Sequence, residues 1–288
     1  MKVQNLKWFL LVLLALVWGS SFILIKKGLV ALNPFQVGSL RIIFAATFLL
    51  VIGFKTLNKI AVVQWKYLIL TAIFGTFIPA FLFAIAQTQI SSGVSSILNS
   101  LTPLNTLILG VMFFGLTFKK SQLFGICIGL FGSILLIYNG ALNNPNQNYY
   151  YTILIIIASI CYAINVNLIK RYLSDLSPLS ISTGNFAVML APAIIVLYFS
   201  GFFRIYQLQT VQHSMIYILI LGVIGTGMAN IIFFKLIQIS SPVFATSVTY
   251  LIPIVAFFWG LLDNEILSPI QFLGAFIILL GVYLSSKK

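Results

Sequence analysis

Acidic side chains are scarce in this chain of 288 residues: three Asp and Glu stand against 16 Lys and Arg, and charged residues make up 7% of the total. A soluble domain carries roughly 25% charged residues, so a water-facing globular fold is excluded. Histidine occurs once and cysteine twice, Cys127 and Cys161, both inside apolar runs. Neither a disulfide framework nor a CxxC metal site follows from such a pair, and we expect no metal and no cofactor. H-E-x-x-H, G-x-S-x-G and P-loop lysine patterns are also missing, which removes the usual basis for hydrolytic or nucleotide-driven chemistry. His213, expected in a loop between the seventh and eighth spans, and Asp263 and Glu265, expected at a membrane edge, do not compose a catalytic set. An enzyme is therefore not expected.

What the chain has instead is apolarity: 61% hydrophobic residues and a mean hydropathy of +1.12. No charge occurs between Lys66 and Lys119 or between Lys120 and Lys170. Each stretch is far longer than the roughly 20 residues that cross a bilayer, and each is divided by turn-forming residues, Gln87 to Gly93 in the first and Asn139 to Asn148 in the second. Backbone groups in hydrocarbon need internal partners, and the runs lack barrel alternation, so the spans are helices. Ten are expected, near 7–28, 34–54, 66–87, 92–116, 121–139, 149–170, 178–200, 214–236, 242–262 and 268–285. The start of the chain also looks like a signal peptide ending at Gly19-Ser-Ser21, but Phe22 to Ile25 carry the apolar run on to spanning length. We read it as a retained helix.

The cations take sides. Between these spans, twelve Lys and Arg fall on the side of the N-terminus and three, Lys26, Lys27 and Arg204, on the other. Cytoplasmic loops carry such an excess, so both termini are expected in the cytoplasm of a multi-pass cell (inner) membrane protein. Nucleic acid is not an expected partner, because the cations occur singly or in pairs between apolar runs and not on one exposed face. The lipid bilayer is.

An internal repeat runs through the sequence. Gln122 to Gly125, continuing to Gly132, matches Gln271 to Gly274 and Gly281 at an offset of 149; Pro103 and Gly110 match Pro253 and Gly260, and Gly75-Thr76 matches Gly225-Thr226, at 150; Lys26-Lys27 and Pro34 match Lys170-Arg171 and Pro178 at 144. This divides the chain into halves, 1–141 and 142–288, of five spans each. An odd number of spans inverts the second half relative to the first, an arrangement that builds transporters around a site near the midplane. A passive pore and a non-transporting scaffold are the alternatives, neither of which requires an inverted repeat, and an intramembrane enzyme is a further one that lacks a nucleophile, base or metal set.

Trp18-Gly-Ser-Ser-Phe22, Pro34 followed by Arg41 to Ala45, and the Ser-Ser-Gly to Thr-Pro segment at 91–103 resemble the first half of the EamA family in the drug/metabolite transporter superfamily. Ile239 to Pro242, Tyr250 to Pro253, Gly260, Glu265 and Gln271 to Gly281 are similar to its second half. The glycine-glutamate pair often found after the fourth span is replaced here by Gly115-Leu-Thr-Phe-Lys119, whereas Glu265 retains it in the second half. The resemblance implies a ten-helix secondary transporter or exporter of small metabolites such as amino acids.

Arg41 lies seven residues beyond Pro34, roughly 10 Å into the second span. An intramembrane Arg is costly and points to function, here pairing with a substrate carboxylate; the structural alternative is a snorkelling or carbonyl-satisfying Arg. Further cavity candidates are Trp18, Ser21, Asn99, Tyr162, Asn165, Asn230 and Tyr250, with Trp18 and Tyr162 at matching repeat positions. Pro103 and Pro253 are expected as hinge points and Gly75 and Gly225 as sites of close helix approach.

Overall fold

The structure is a computed structural model that describes residues 3–117, 120–142, 148–262 and 269–286. Lys119, Asp263, Glu265 and part of the Asn139 to Asn148 turn lie outside the described residues. Helices dominate, and their boundaries follow local chemistry. The first span is α1 (Val3–Gly28). The second, α2 (Pro34–Gly53), starts with a capping box in which the Asn33 side chain accepts from the Gln36 amide at 3.0 Å and the Gln36 side chain accepts from the Asn33 amide at 2.9 Å. Two of the orphan donors of the first turn are satisfied in this way, and Pro34 removes a third.

The third span consists of α3 (Val62–Ala72), a π-helical segment (Ile73–Phe77) and α4 (Ile78–Ala86). The fourth consists of α5 (Ser92–Leu98), a 3-10 turn (Asn99–Leu101) and α6 (Thr102–Phe114). The fifth is α7 (Lys120–Leu142), followed by α8 (Thr152–Tyr172) and α9 (Pro178–Phe199). The eighth span again carries a π segment (Val223–Met228), between α10 (Gln209–Gly222) and α11 (Ala229–Ile239). The ninth is broken at Ser247 between α12 (Pro242–Thr246) and α13 (Val248–Leu262), and α14 (Pro269–Ser286) is the tenth. Eight of the ten are long and apolar enough on their own to cross a membrane, and α7 and α14, with 23 and 18 residues, complete the set. The fold is all-α, with ten spans in two inverted five-helix repeats.

One expectation is corrected. His213 does not lie in a loop; it is an exposed residue of α10, whose helix starts at Gln209. The eighth span is 31 residues long, roughly 45 Å of helix, so its first turns project beyond a hydrocarbon core of about 30 Å.

The inverted repeat is visible in the packing. Ser91 and Ser241, at equivalent positions, cap the fourth and ninth spans by accepting from the amides of Val94 and Phe244, both at 3.2 Å. α1 packs on α13, α10 and α11, while α8, its counterpart, packs on α6, α4 and α3. Outside this bundle α7 lies along α14. At their crossing a Cβ on Gly281 would sit 2.5 Å from the Gly129 nitrogen and 2.7 Å from the Gly125 carbonyl oxygen. Backbone cannot yield as a side chain does, so Gly281→Ala should separate the two helices and lower thermal stability, with an overpacking cost of about 1–3 kcal/mol. A melting temperature equal to that of the wild type in the same detergent would refute this contact.

Candidate functional site

A cavity of about 90 Å³, measured as the space swept by the centre of a water-sized sphere, lies where the two repeats meet. One water needs roughly 10–15 Å³ on that scale, so there is room for several waters or for part of a small organic molecule. Seven of the eight residues singled out from the sequence line it: Trp18, Ser21, Arg41, Asn99, Tyr162, Asn165 and Asn230.

Two π segments set its middle. Each contains the repeat-matched Gly-Thr pair, Gly75-Thr76 in one and Gly225-Thr226 in the other, and both threonines line the cavity. π-bulges widen a helix by one residue per turn and recur at functional sites. At the second of them Thr226 donates to the carbonyl of Leu221 at 3.0 Å and accepts from Arg41 Nε at 2.7 Å. The hydroxyl thus satisfies a displaced carbonyl and fixes the base of the Arg41 fork. Trp18 Nε1 donates to the Gly225 carbonyl at 3.0 Å, and its ring meets Phe233 edge-on at 4.8 Å between centroids.

The glycines make room for their repeat-related neighbours. A Cβ on Gly225 would come within 3.0 Å of Ser21 Oγ, and one on Gly75 within 2.4 Å of Asn165 Cγ. Ser21 and Asn165 are separated by the same 144-residue offset as Trp18 and Tyr162, so the two contacts are a pseudo-symmetric pair. Phe22, Phe83 and Tyr162 form an aromatic wall, with Phe22 and Phe83 edge-on at 5.9 Å and Phe83 stacked on Tyr162 at 6.1 Å.

Arg41 meets no carboxylate among the described residues, where the single acid, Asp175, is exposed in the turn between α8 and α9. At the end of the bundle that bears the N-terminus, Leu11, Leu14, Ile169, Leu173, Leu236 and Phe244 pack together. There Lys170 Nζ donates to the carbonyls of Ile237, Gln238 and Ser240 at 3.0, 3.3 and 2.9 Å, and Arg171 Nη1 to that of Phe114 at 2.8 Å. Cations at helix C-termini satisfy carbonyls that the helix leaves open. They tie α8 to the ends of α11 and α6.

Tyr250 is not a lining residue. It is fully buried, with its ring against Gly129 and its hydroxyl 3.4 Å from the Ile126 carbonyl oxygen. Its helical neighbour Thr249 faces the cavity, and consecutive helical positions are about 100° apart. Pro103 occupies the first turn of α6, and Pro253 lies inside α13. Each proline frees the carbonyl four residues earlier, and each freed carbonyl receives a hydroxyl: Thr102 Oγ1 donates to Asn99 O at 2.7 Å and Ser100 Oγ to Thr249 O at 3.0 Å. Sequence reasoning missed the lining residues Thr76, Thr102, Thr226, Thr246 and Thr249. The Gly-Thr match between the repeats was the signal for two of them.

The sequence model of the EamA-like transporter family matches residues 6–138 and 150–287. The chain belongs to that family: it is a multi-pass membrane transporter and not an enzyme. It is 27% identical to an uncharacterized transporter of Archaeoglobus fulgidus over 98% of this chain and 99% of that protein. It is 28% identical to the uncharacterized inner membrane transporter YedA of Escherichia coli, over 94% and 87%. A probable amino-acid metabolite efflux pump of Escherichia coli is 26% identical over 96% and 93%. A crystal structure of a protein 14% identical in sequence superposes with a TM-score of 0.74 over 97% of this chain and 96% of its own, a likeness of fold.

Proposed function

We propose that this transporter exports small metabolites carrying a carboxylate, amino acids foremost, by alternating access of the central cavity. The observation that carries the reading is Arg41: its Nε is held by Thr226, and it lines a cavity in which no described residue offers a carboxylate. A planar guanidinium matches a carboxylate bidentately. The aromatic wall suits an apolar or aromatic side chain on the same ligand. A relative that is named a probable amino-acid metabolite efflux pump supports that substrate class.

In this reading the halves 1–141 and 142–288 move against each other, the fourth and ninth spans bend near their breaks and near Pro103 and Pro253, and Lys170 and Arg171 hold the cytoplasmic mouth shut. The test is amino-acid efflux from proteoliposomes containing the purified protein. Saturable efflux, slowed by competing amino acids, supports a carrier; flux that rises linearly with concentration marks a pore and rejects the reading.

Orientation is part of the proposal. Asn58 and Gln207 are exposed in connections on opposite sides of the bundle. With Cys127 and Cys161 removed, a single cysteine at position 58 should react with an impermeant thiol reagent only after the cytoplasmic face is opened, and one at position 207 in intact cells. The reverse pattern would turn the protein over, and labelling of both from one side would reject the inverted topology.

A further inference from the structure

We propose that Asn165 is the residue that selects for a substrate's amino group, its side-chain oxygen receiving the ammonium while Arg41 holds the carboxylate; this rests on the carrier reading above. Asn165 lines the cavity at 4% exposure, yet its Oδ1 is buried with no hydrogen-bond partner among the described residues. Buried polar atoms in folded proteins almost always have partners, and an orphan calls for a reason. The other buried side-chain atoms without partners, on Ser39, Gln87, Ser95, Asn167 and Asn185, belong to residues that do not line the cavity.

The inverted repeat supplies the control. Ser21, the counterpart of Asn165, donates to the Val17 carbonyl one turn back at 3.1 Å and is satisfied within its own helix. Asn165 is too long to sit against an ordinary side chain at the same place. Gly75 leaves it the space, since a Cβ there would lie 2.4–2.6 Å from all three atoms of the amide group. The protein has broken its own symmetry in favour of an amide with an unused acceptor.

No described lining residue is anionic, so an ammonium entering this cavity must be met by neutral oxygens. The Asn165 oxygen can be recruited without breaking an internal bond. Arg41 belongs to the first half and Asn165 to the second, so one zwitterion would bridge the two moving bodies. A site that hydrogen-bonds a ligand N–H rejects the analogue lacking it far more strongly than an apolar pocket rejects a missing methylene.

The experiment compares an aromatic amino acid with its des-amino acid, the same skeleton without nitrogen, as ligands of purified protein by calorimetry and as competitors of proteoliposome efflux. Wild-type protein should bind the amino acid at least about 10-fold more tightly, a typical effect for a hydrogen bond to a charged group. Asn165→Leu should bring that ratio close to one while leaving des-amino acid binding in place, and Asn165→Asp, which keeps an acceptor, should preserve the preference. If the leucine variant is not recovered folded, Asn165→Ala takes its place and should bring the ratio down in the same way. Equal weakening of both ligands, or an unchanged ratio, would make Asn165 structural and overturn the proposal while the carrier reading stands. Lack of saturable amino-acid flux in the wild type would remove both.

Discussion

Efflux of a carboxylate-bearing substrate should fall by about 100-fold in Arg41→Gln, the scale expected when one partner of a buried charge pair is removed. Arg41→Lys should fall between that variant and the wild type. An ammonium keeps the charge, but a single nitrogen does not grip Thr226 and also present a planar fork. The discriminating measurement is efflux of an amino acid against its amide, which keeps the ammonium and the side chain but has a neutral carboxamide in place of the carboxylate, normalised to folded protein. If Arg41 reads the carboxylate, the acid loses its advantage and the amide changes little. If Arg41 only braces the π segment through Thr226, both substrates decline together and less folded protein is recovered, which would reject the recognition role.

Gly75→Leu is expected to abolish measurable transport in protein that still inserts. The first added carbon falls on the Asn165 amide, and the rest of the leucine must displace α8 or fill the cavity; overpacking of this kind costs about 1–3 kcal/mol and distorts neighbours. Gly75→Ala should be impaired less. Gly225→Ala should be milder still, because its Cβ would meet Ser21 Oγ and Leu221 Cδ1 at 3.0 and 3.1 Å, contacts that relax through small shifts. Flux assays and size-exclusion profiles on these three variants test this order. Full flux through Gly75→Leu would show that the glycine is incidental.

How much of this was legible beforehand depends on what each feature is made of. Spans and their number follow from hydropathy and charge, because lipid imposes a length on every crossing segment. The cavity was readable as a set of polar side chains in apolar helices, and Trp18, Arg41 and Asn165 do meet there. Tyr250 was placed wrongly because a polar aromatic within a span has no sequence mark for the direction it faces, and one position on the helix separates the cavity from the packing against Gly129. The π segments left no compositional trace. They arise from one extra residue per turn, a change of register that side-chain chemistry does not announce, although the repeated Gly-Thr pair shows where both copies carry it.

The inverted repeat has a consequence for how orientation is encoded. Turned over about the axis that relates its halves, the molecule would offer the bilayer nearly the same set of helices around the same cavity, so hydrophobic matching gives lipid little basis for telling the two poses apart. What tells them apart is the lysines and arginines between the spans, twelve against three. Pose and cargo would then be set in different places, the pose by the basic residues between the spans and the cargo by the lining side chains, while the concentration gradient across the membrane sets the direction of net flow through either pose.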